Sequence, residues 1–353
     1  MNNDMNYANL PNNSNTNVMQ NLNGSVGSVQ VSDENISVQQ TPQFRNNIEA
    51  TVSKFSMLEA YGENLRTKTY VTNPAIAREE EIKQTMLILL TPDKSALLIG
   101  KPGIGKTAIV EGIGYKMQKG EVPNALKGFD LIKLNITALL GNDLNGENRL
   151  QLLVEELKQK ENIILFIDEV HLLINKDANS SLDFANMLKP ALDRGTIKMI
   201  GATTTEEYDQ YILRDRAFNR RFMRVDIEEP TPETVVKILM GTYPRLEKQT
   251  GVTCIYTDYI KERIFSFLAY MTSEYKRIYE VGNRYPDITI MLLANAYSYA
   301  SFDNSPHLTL QHVYKACMNF KNVYEDAKRK DMEKFKEEFK DILVEERVNL
   351  EDY

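Results

Sequence analysis

From Ile76 onward the apolar residues fall into two alternating rhythms. Arg78-Glu-Glu-Glu-Ile82 opens a segment in which Ile82, Met86 and Leu89 recur at helical spacing, and Pro92 marks its end because proline cannot continue a helix. Ala96-Leu-Leu-Ile-Gly100 then follows, short and wholly apolar, as a strand buried on both faces must be. Four more such runs come later: Leu131 to Asn135, Ile163 to Ile167, Ile197 to Gly201 and Met223 to Ile227. Helical faces separate them, one carried by Leu150, Leu153, Val154 and Leu157, another by Leu182, Ala185, Leu188 and Leu192. Strands that alternate with helices predict an α/β fold, here a five-stranded parallel sheet flanked by helices.

The rhythm changes after Pro230 and Pro232. Only helical patterns follow, over 232–249, 257–272, 285–302 and 309–325, which predicts a small all-helical domain. Residues 326–353 are highly charged, but Met332, Phe335, Phe339 and Ile342 form one apolar stripe. The expectation is a single C-terminal helix packed on its own domain, with docking on a neighbour as the alternative. Residues 1–45 are rich in Asn, Ser and Gln and carry no basic residue before Arg45. Such a tract buries too little apolar area to offset its chain entropy, so it reads as a disordered tail. The organisation expected is therefore 1–45 tail, 46–229 large α/β domain, 230–325 helical domain and 326–353 charged helix.

Composition narrows the classes of partner. The 353 residues carry a formal net charge of -7, which repels a nucleic-acid backbone and disfavours a coat of DNA or RNA. The two cysteines, Cys254 and Cys317, show no metal-ligand spacing and read as reduced core thiols. There is no apolar stretch long enough for a membrane helix and no secretory signal pattern, so a cytoplasmic location is expected.

The chemistry concentrates in Gly100-Lys-Pro-Gly-Ile-Gly-Lys-Thr107, which lies between an expected strand and an expected helix. That context makes GxxxxGK[ST] a phosphate-binding loop: Gly100, Pro102, Gly103, Ile104, Gly105, Lys106, Thr107 and Ala108 wrap the phosphates with backbone N–H groups and the helix start. Lys106 is placed to reach the β and γ phosphates of ATP, and Thr107 to ligate Mg²⁺. Ile163 to Glu169 is a buried strand that delivers two carboxylates to the same sheet edge; Asp168 suits the Mg²⁺ shell and Glu169 the general base. Thr204, at the end of the fourth expected strand, is a candidate to orient the attacking water. Arg221 and, second, Arg220 stand just before the fifth strand; an arginine there can serve a neighbouring subunit's γ-phosphate in trans.

With those motifs stand further strings: Asn73-Pro-Ala-Ile-Ala-Arg-Glu-Glu-Glu-Ile82, Gly120-Glu-Val-Pro-Asn-Ala-Leu-Lys-Gly128, Leu165-Phe-Ile-Asp-Glu-Val-His171, Asn186-Met-Leu-Lys-Pro-Ala-Leu192 and Gly201-Ala-Thr-Thr-Thr-Glu-Glu-Tyr208. Together, from about Leu58 to Glu229, they resemble the first AAA+ ATPase module of the ClpA, ClpB and ClpC unfoldases. The resemblance implies a helical lid, a hexameric ring and protein substrates. It also implies adenine contacts near Ala75, Ile76 and Ala77 and, in the lid, near Pro286 and Asp287.

Two departures qualify it. Where the family carries a pore aromatic followed by Arg-Gly-Glu, this chain has Gly141-Asn-Asp-Leu-Asn-Gly-Glu147, with Leu144 in the aromatic's place. A leucine lacks the flat, rigid face of an aromatic grip. After Pro286-Asp287 the usual Lys-Ala-Ile-Asp is replaced by Ile288-Thr-Ile-Met291. No folded N-terminal adaptor domain, second ATPase module or peptidase-docking loop is recognisable, so a peptidase partner is not expected. Three readings follow: an ATP-driven remodeller of proteins, a nucleotide-switched scaffold ring that does not thread polypeptide, and, less favoured by the acidic charge, a nucleic-acid-acting loader.

Overall fold

In the computed structural model, residues 56–139, 148–173, 197–214, 219–279, 282, 284–348 and 350 are described. The sequence readings for 1–45, for the loop 141–147 and for the helix at 182–192 lie outside these residues.

A six-stranded sheet has the order β1-β3-β4-β5-β2-β6. Its strands are β1 (Gly62–Asn64), β2 (Ser95–Ile99), β3 (Asp130–Leu134), β4 (Ile163–Ile167), β5 (Ile197–Thr203) and β6 (Phe222–Asp226). The five strands expected from the apolar runs are all parallel to one another. The sixth, β1, is an addition to that expectation: it pairs antiparallel with β3 at the sheet edge. Helix α1 (Met57–Tyr61) leads into it, held by Glu156, whose carboxylate accepts from the Ser56 hydroxyl at 2.6 Å and the Met57 N–H at 2.7 Å.

Successive strand residues face opposite sides of the sheet, and each side has its own core. On one, Ala96, Leu98, Phe166, Ile200 and Val225 pack with Ile82 and Leu89 of α2 (Glu79–Leu90) and with Ile109, Val110 and Ile113 of α3 (Lys106–Lys119). On the other, Leu97, Ile99, Leu165, Ile167 and Met199 meet the face expected in α5 (Arg149–Lys158), whose Leu150, Leu153, Val154 and Leu157 are all buried. The short turn between, α4, spans Ile136–Leu139. Each such aliphatic side chain contributes about 1.5–3 kcal/mol when fully withdrawn from water. In α2 the buried positions are Ile82, Thr85, Ile88 and Leu89, while Met86 lies at the margin.

The helical region starts at α6 (Pro232–Thr250), where the Thr231 hydroxyl accepts the Thr234 N–H and Pro232 occupies the first turn, which has no hydrogen bond to lose. It continues through α7 (Asp258–Met271), α8 (Asp287–Phe302) and α9 (Leu310–Met318). The run read as one helix over 309–325 ends earlier, at Met318, because the chain then turns to pair: the Ile278 N–H donates to the Asn322 carbonyl and Val323 bridges Arg277.

The charged tail forms two helices rather than one, α10 (Glu325–Glu338) and α11 (Lys340–Glu345), which meet at Phe339. Met332, Phe335 and Phe339 of its stripe are buried in this region's own core, with Ile342 half-buried against it: the Phe335 and Phe339 rings lie 4.8 Å apart, and the Phe267 ring packs 5.1 Å and 6.0 Å from them. Among the described residues no helix is long and apolar enough to cross a membrane.

Candidate nucleotide-binding and hydrolysis site

The expected phosphate loop leaves the carboxyl end of β2, which lies between β5 and the edge strand β6, and becomes α3. Gly105 caps α3 with φ of 99° and Gly103 has φ of 74°, backbone angles that side chains resist, so glycine is required for the loop to curl. A Cβ on Gly103 would also lie 3.0 Å from the Cβ of Asp287, which brings the first residue of α8 against the loop.

Around this loop is a cleft of about 780 Å³. Gly103 to Ala108 and Asp168 line one side, Ala75 and Ile76 another, and Ile238, Thr242, Pro286, Asp287 and Ile290 of the helical region a third. Most expected nucleotide contacts are thereby gathered in one place. Gly100 sits just before the loop at the end of β2. Lys101 and Pro102 continue the loop, the Lys106 ammonium donating to the carbonyls of Gly100 at 2.7 Å and Lys101 at 3.1 Å. Ala77, next to Ile76, holds a left-handed φ of 56°.

Thr107 and Asp168 meet directly, the Thr107 hydroxyl donating to Asp168 Oδ2 at 2.7 Å. Burial lowers the Lys106 ammonium below the ordinary lysine value, against the opposing pull of Asp168, Glu207 and Glu206. Burial also raises the Asp287 carboxyl. Glu169 is exposed and held at φ 55°, a left-handed conformation that costs a non-glycine residue about 1–2 kcal/mol. It borders a second cleft of about 740 Å³, shared with Asp168, Asn135, Thr137 and Tyr61.

At the end of β5, Thr204 caps a short turn: its hydroxyl accepts the Glu207 N–H at 3.2 Å, and Glu207 Oε2 accepts the Thr204 N–H at 2.9 Å. The same Oε2 accepts from Thr203 Oγ1 at 3.0 Å and lies 3.1 Å from His171 Nδ1, just past the Asp168-Glu169 pair. Burial alone would raise Glu207; hydrogen bonds from Thr204 and Thr203 and the His171 contact outweigh it and leave the carboxyl below its ordinary value. The Thr-x-x-Glu spacing of a capping box was the sequence signal for this clamp.

Arg220 and Arg221 are not at this edge. They precede β6, where the Arg221 carbonyl accepts the Ser95 N–H at the start of β2 and the Arg220 carbonyl accepts from Lys94. Ser95 pairs with Phe222 and Ile99 with Asp226 in parallel register, so the length of β2 separates the arginines' backbone from the loop. At about 3.3 Å per residue that is roughly 16 Å.

Sequence reasoning overlooked Gly241, in the middle of α6. A Cβ there would fall 1.7 Å from Ile76 Cδ1, so any side chain at this position must push Ile76 aside on the cleft wall.

The profile of the ATPase family associated with various cellular activities (AAA) matches residues 96–225. That segment is similar to AAA ATPase domains. Its sheet, phosphate loop and acidic strand end are those described above. The chain is 44% identical over 200 residues to the chaperone protein ClpB of Aquifex aeolicus, covering 55% of this chain and 20% of that protein. It is 42% identical over 207 residues to the ATP-dependent Clp protease ATP-binding subunit ClpE of Bacillus subtilis, covering 57% and 30%. The AAA module thus matches Clp-family proteins while spanning between a fifth and a third of these two relatives' length. An S. cerevisiae Hsp104:casein complex in an extended conformation superposes with a TM-score of 0.63 at 32% identity, over 74% of this chain and 45% of that one.

Proposed function

We propose that this chain is a subunit of a hexameric AAA+ ring that hydrolyses ATP to remodel or unfold protein substrates. The observation that carries the proposal is the separation of the motif residues along β2: phosphate loop, Thr107 and Asp168 at one end, Arg220 and Arg221 at the other. Arginines roughly 16 Å of strand away from their own loop are poorly placed to serve it and are on hand for another copy. In this scheme Lys106 binds the phosphates, Glu169 aligns and deprotonates water, Thr204 orients that water, and Arg221, with Arg220 beside it, stabilises transition-state charge in the neighbouring subunit. Ile76, Ala77, Pro286 and Asp287 hold the adenine side.

Mg²⁺ fits the residues present. Thr107 and Asp168 offer a hydroxyl and a carboxylate oxygen already in contact, and Mg²⁺ takes few protein ligands, completing its shell with phosphate and water. Bound there it would neutralise charge on the β and γ phosphates. The buried, free Cys254 and Cys317 agree with a reducing, cytoplasm-like setting.

Protein as substrate is supported by the Clp relatives and by the casein-bound Hsp104 neighbour. Leu144 favours a second reading, a nucleotide-switched scaffold ring that does not thread polypeptide. Unfolding of a tagged fluorescent protein, with Leu144→Tyr beside the wild type, separates the two. Loss of substrate fluorescence with wild type supports the remodeller; brisk ATP hydrolysis with no unfolding by either protein supports the scaffold.

A further inference from the structure

Two consecutive residues at the end of β6 tie the phosphate loop to the lid. On one side, Arg78 is buried, and its guanidinium donates to the carbonyl of Glu228 at 3.2 Å and to the carbonyl of Ile104, inside the phosphate loop, at 2.9 Å. Glu81 balances its charge at 2.6 Å. On the other side, the Glu229 carboxylate pairs with Arg277 of the lid and accepts the Tyr285 N–H at 2.8 Å. Arg277 is almost fully buried; it also donates to the Thr272 carbonyl at 2.6 Å and lies 4.1 Å from the centre of the Tyr285 ring. Two residues after Tyr285, Asp287 returns to rest against Gly103 of the loop.

These contacts close a circuit: loop carbonyl, Arg78, Glu228–Glu229, Arg277, Tyr285, Asp287 and back to the loop. A buried guanidinium shared among fixed acceptors has little freedom to slip, because each lost bond leaves a buried polar group unmatched. A shift of the Ile104 carbonyl therefore cannot be absorbed locally and must move the dipeptide that holds the lid.

We propose that Arg78, Glu229 and Arg277 are positioning residues that couple the phosphate loop to the angle of the lid, with Glu228–Glu229 as the hinge. Arg78 borders the cleft with its guanidinium held on the Ile104 and Glu228 carbonyls, while Glu229 and Arg277 do not line it; all three act through the loop and the lid. The proposal rests on the ATPase reading and concerns how binding at that site is transmitted.

The test reads lid position directly. Fluorophores at Lys83→Cys on α2 and Ser301→Cys on α8, both exposed sites, report the distance between sheet and lid with and without a non-hydrolysable ATP analogue. Wild type is expected to settle at one distance when the analogue binds. Glu229→Gln/Arg277→Gln, which removes both charges of the pair together, is expected to bind the analogue about fivefold or more weakly and to keep a broad distribution. Arg78→Lys, which keeps the charge but not the fork, is expected to behave alike although it leaves the lid's ion pair intact, and it decides the matter if the double variant melts early. Both variants should lower kcat as well as raise KM. Variants that reach the wild-type distance, with affinity within about twofold of wild type, overturn the coupling. Wild type that fails to bind a fluorescent ATP overturns the ATPase reading instead, and the coupling with it.

Discussion

The carboxyl ends of β2, β4 and β5 and the amino end of β6 belong to the same sheet and present different chemistry. At the carboxyl ends are a glycine loop, Lys106, the Thr107–Asp168 contact and Glu169. At the amino end of β6 are two adjacent arginines, Arg220 and Arg221. A parallel sheet collects strand carboxyl ends, with their following loops and helix starts, along one edge, which suits that edge to phosphate. Under the proposed function, cations for transition-state charge at the far edge would serve another copy. In this account one chain holds every part of the reaction but does not assemble them alone.

The sharpest way to break that contrast is Arg221→Ala. We expect ATP affinity to stay near wild type and hydrolysis in assembled protein to fall on the order of a thousandfold, as when an arginine finger is withdrawn. A loss of binding, measured with a fluorescent ATP analogue, would mean that the arginine serves its own subunit. Glu169→Gln should keep binding and lower turnover by roughly 10²–10⁴, the range of a lost general base; phosphate release under saturating ATP reads this out.

Gly241→Val sharpens the contrast from the lid side. The added side chain meets Ile76 and pushes α6 off the adenine wall, so about a tenfold loss of ATP affinity is expected with a smaller change in kcat. An unchanged affinity by titration would remove Ile76 and Gly241 from the site.

The smallest effect concerns the Thr204 turn. Glu207 lies below its ordinary carboxyl value in the folded chain, so it stabilises the fold above the unfolded value of 4.5, and that contribution is lost as pH falls through the folded value. Glu207→Gln should cost about 1 kcal/mol at neutral pH, as a weakened cap does. Its difference from wild type in urea melts should shrink below pH 4.5. A difference that grows on acidification contradicts the assignment.

How much of this was readable in the sequence depended on whether a feature is contiguous. Gly100 to Thr107 and Ile163 to Glu169 are unbroken strings whose spacing carries their meaning, and five strands announced themselves as apolar runs. The edge strand Gly62–Asn64 is three residues long with polar side chains, and it exists because β3 offers a free edge. Gly241 reads as a weak point inside a helix; its purpose appears only when Ile76 is brought against it. Glu229 and Arg277 lie 48 residues apart, and no local pattern links them. The break at Phe339 was hidden because Met332, Phe335, Phe339 and Ile342 keep helical spacing across it, with neither glycine nor proline to mark the bend.

The most direct test of the two-ended account mixes its two crippled halves. Glu169→Gln and Arg221→Ala subunits, each nearly inactive alone, are combined and ATP hydrolysis is measured against their ratio. Wherever the two meet in the right order, the site of the Arg221→Ala subunit retains Glu169 and receives Arg221 from its Glu169→Gln neighbour. The account predicts activity that rises well above the sum of the separate variants and peaks at intermediate ratios. Activity that remains at that sum at every ratio, in assemblies shown to contain both subunits, contradicts it.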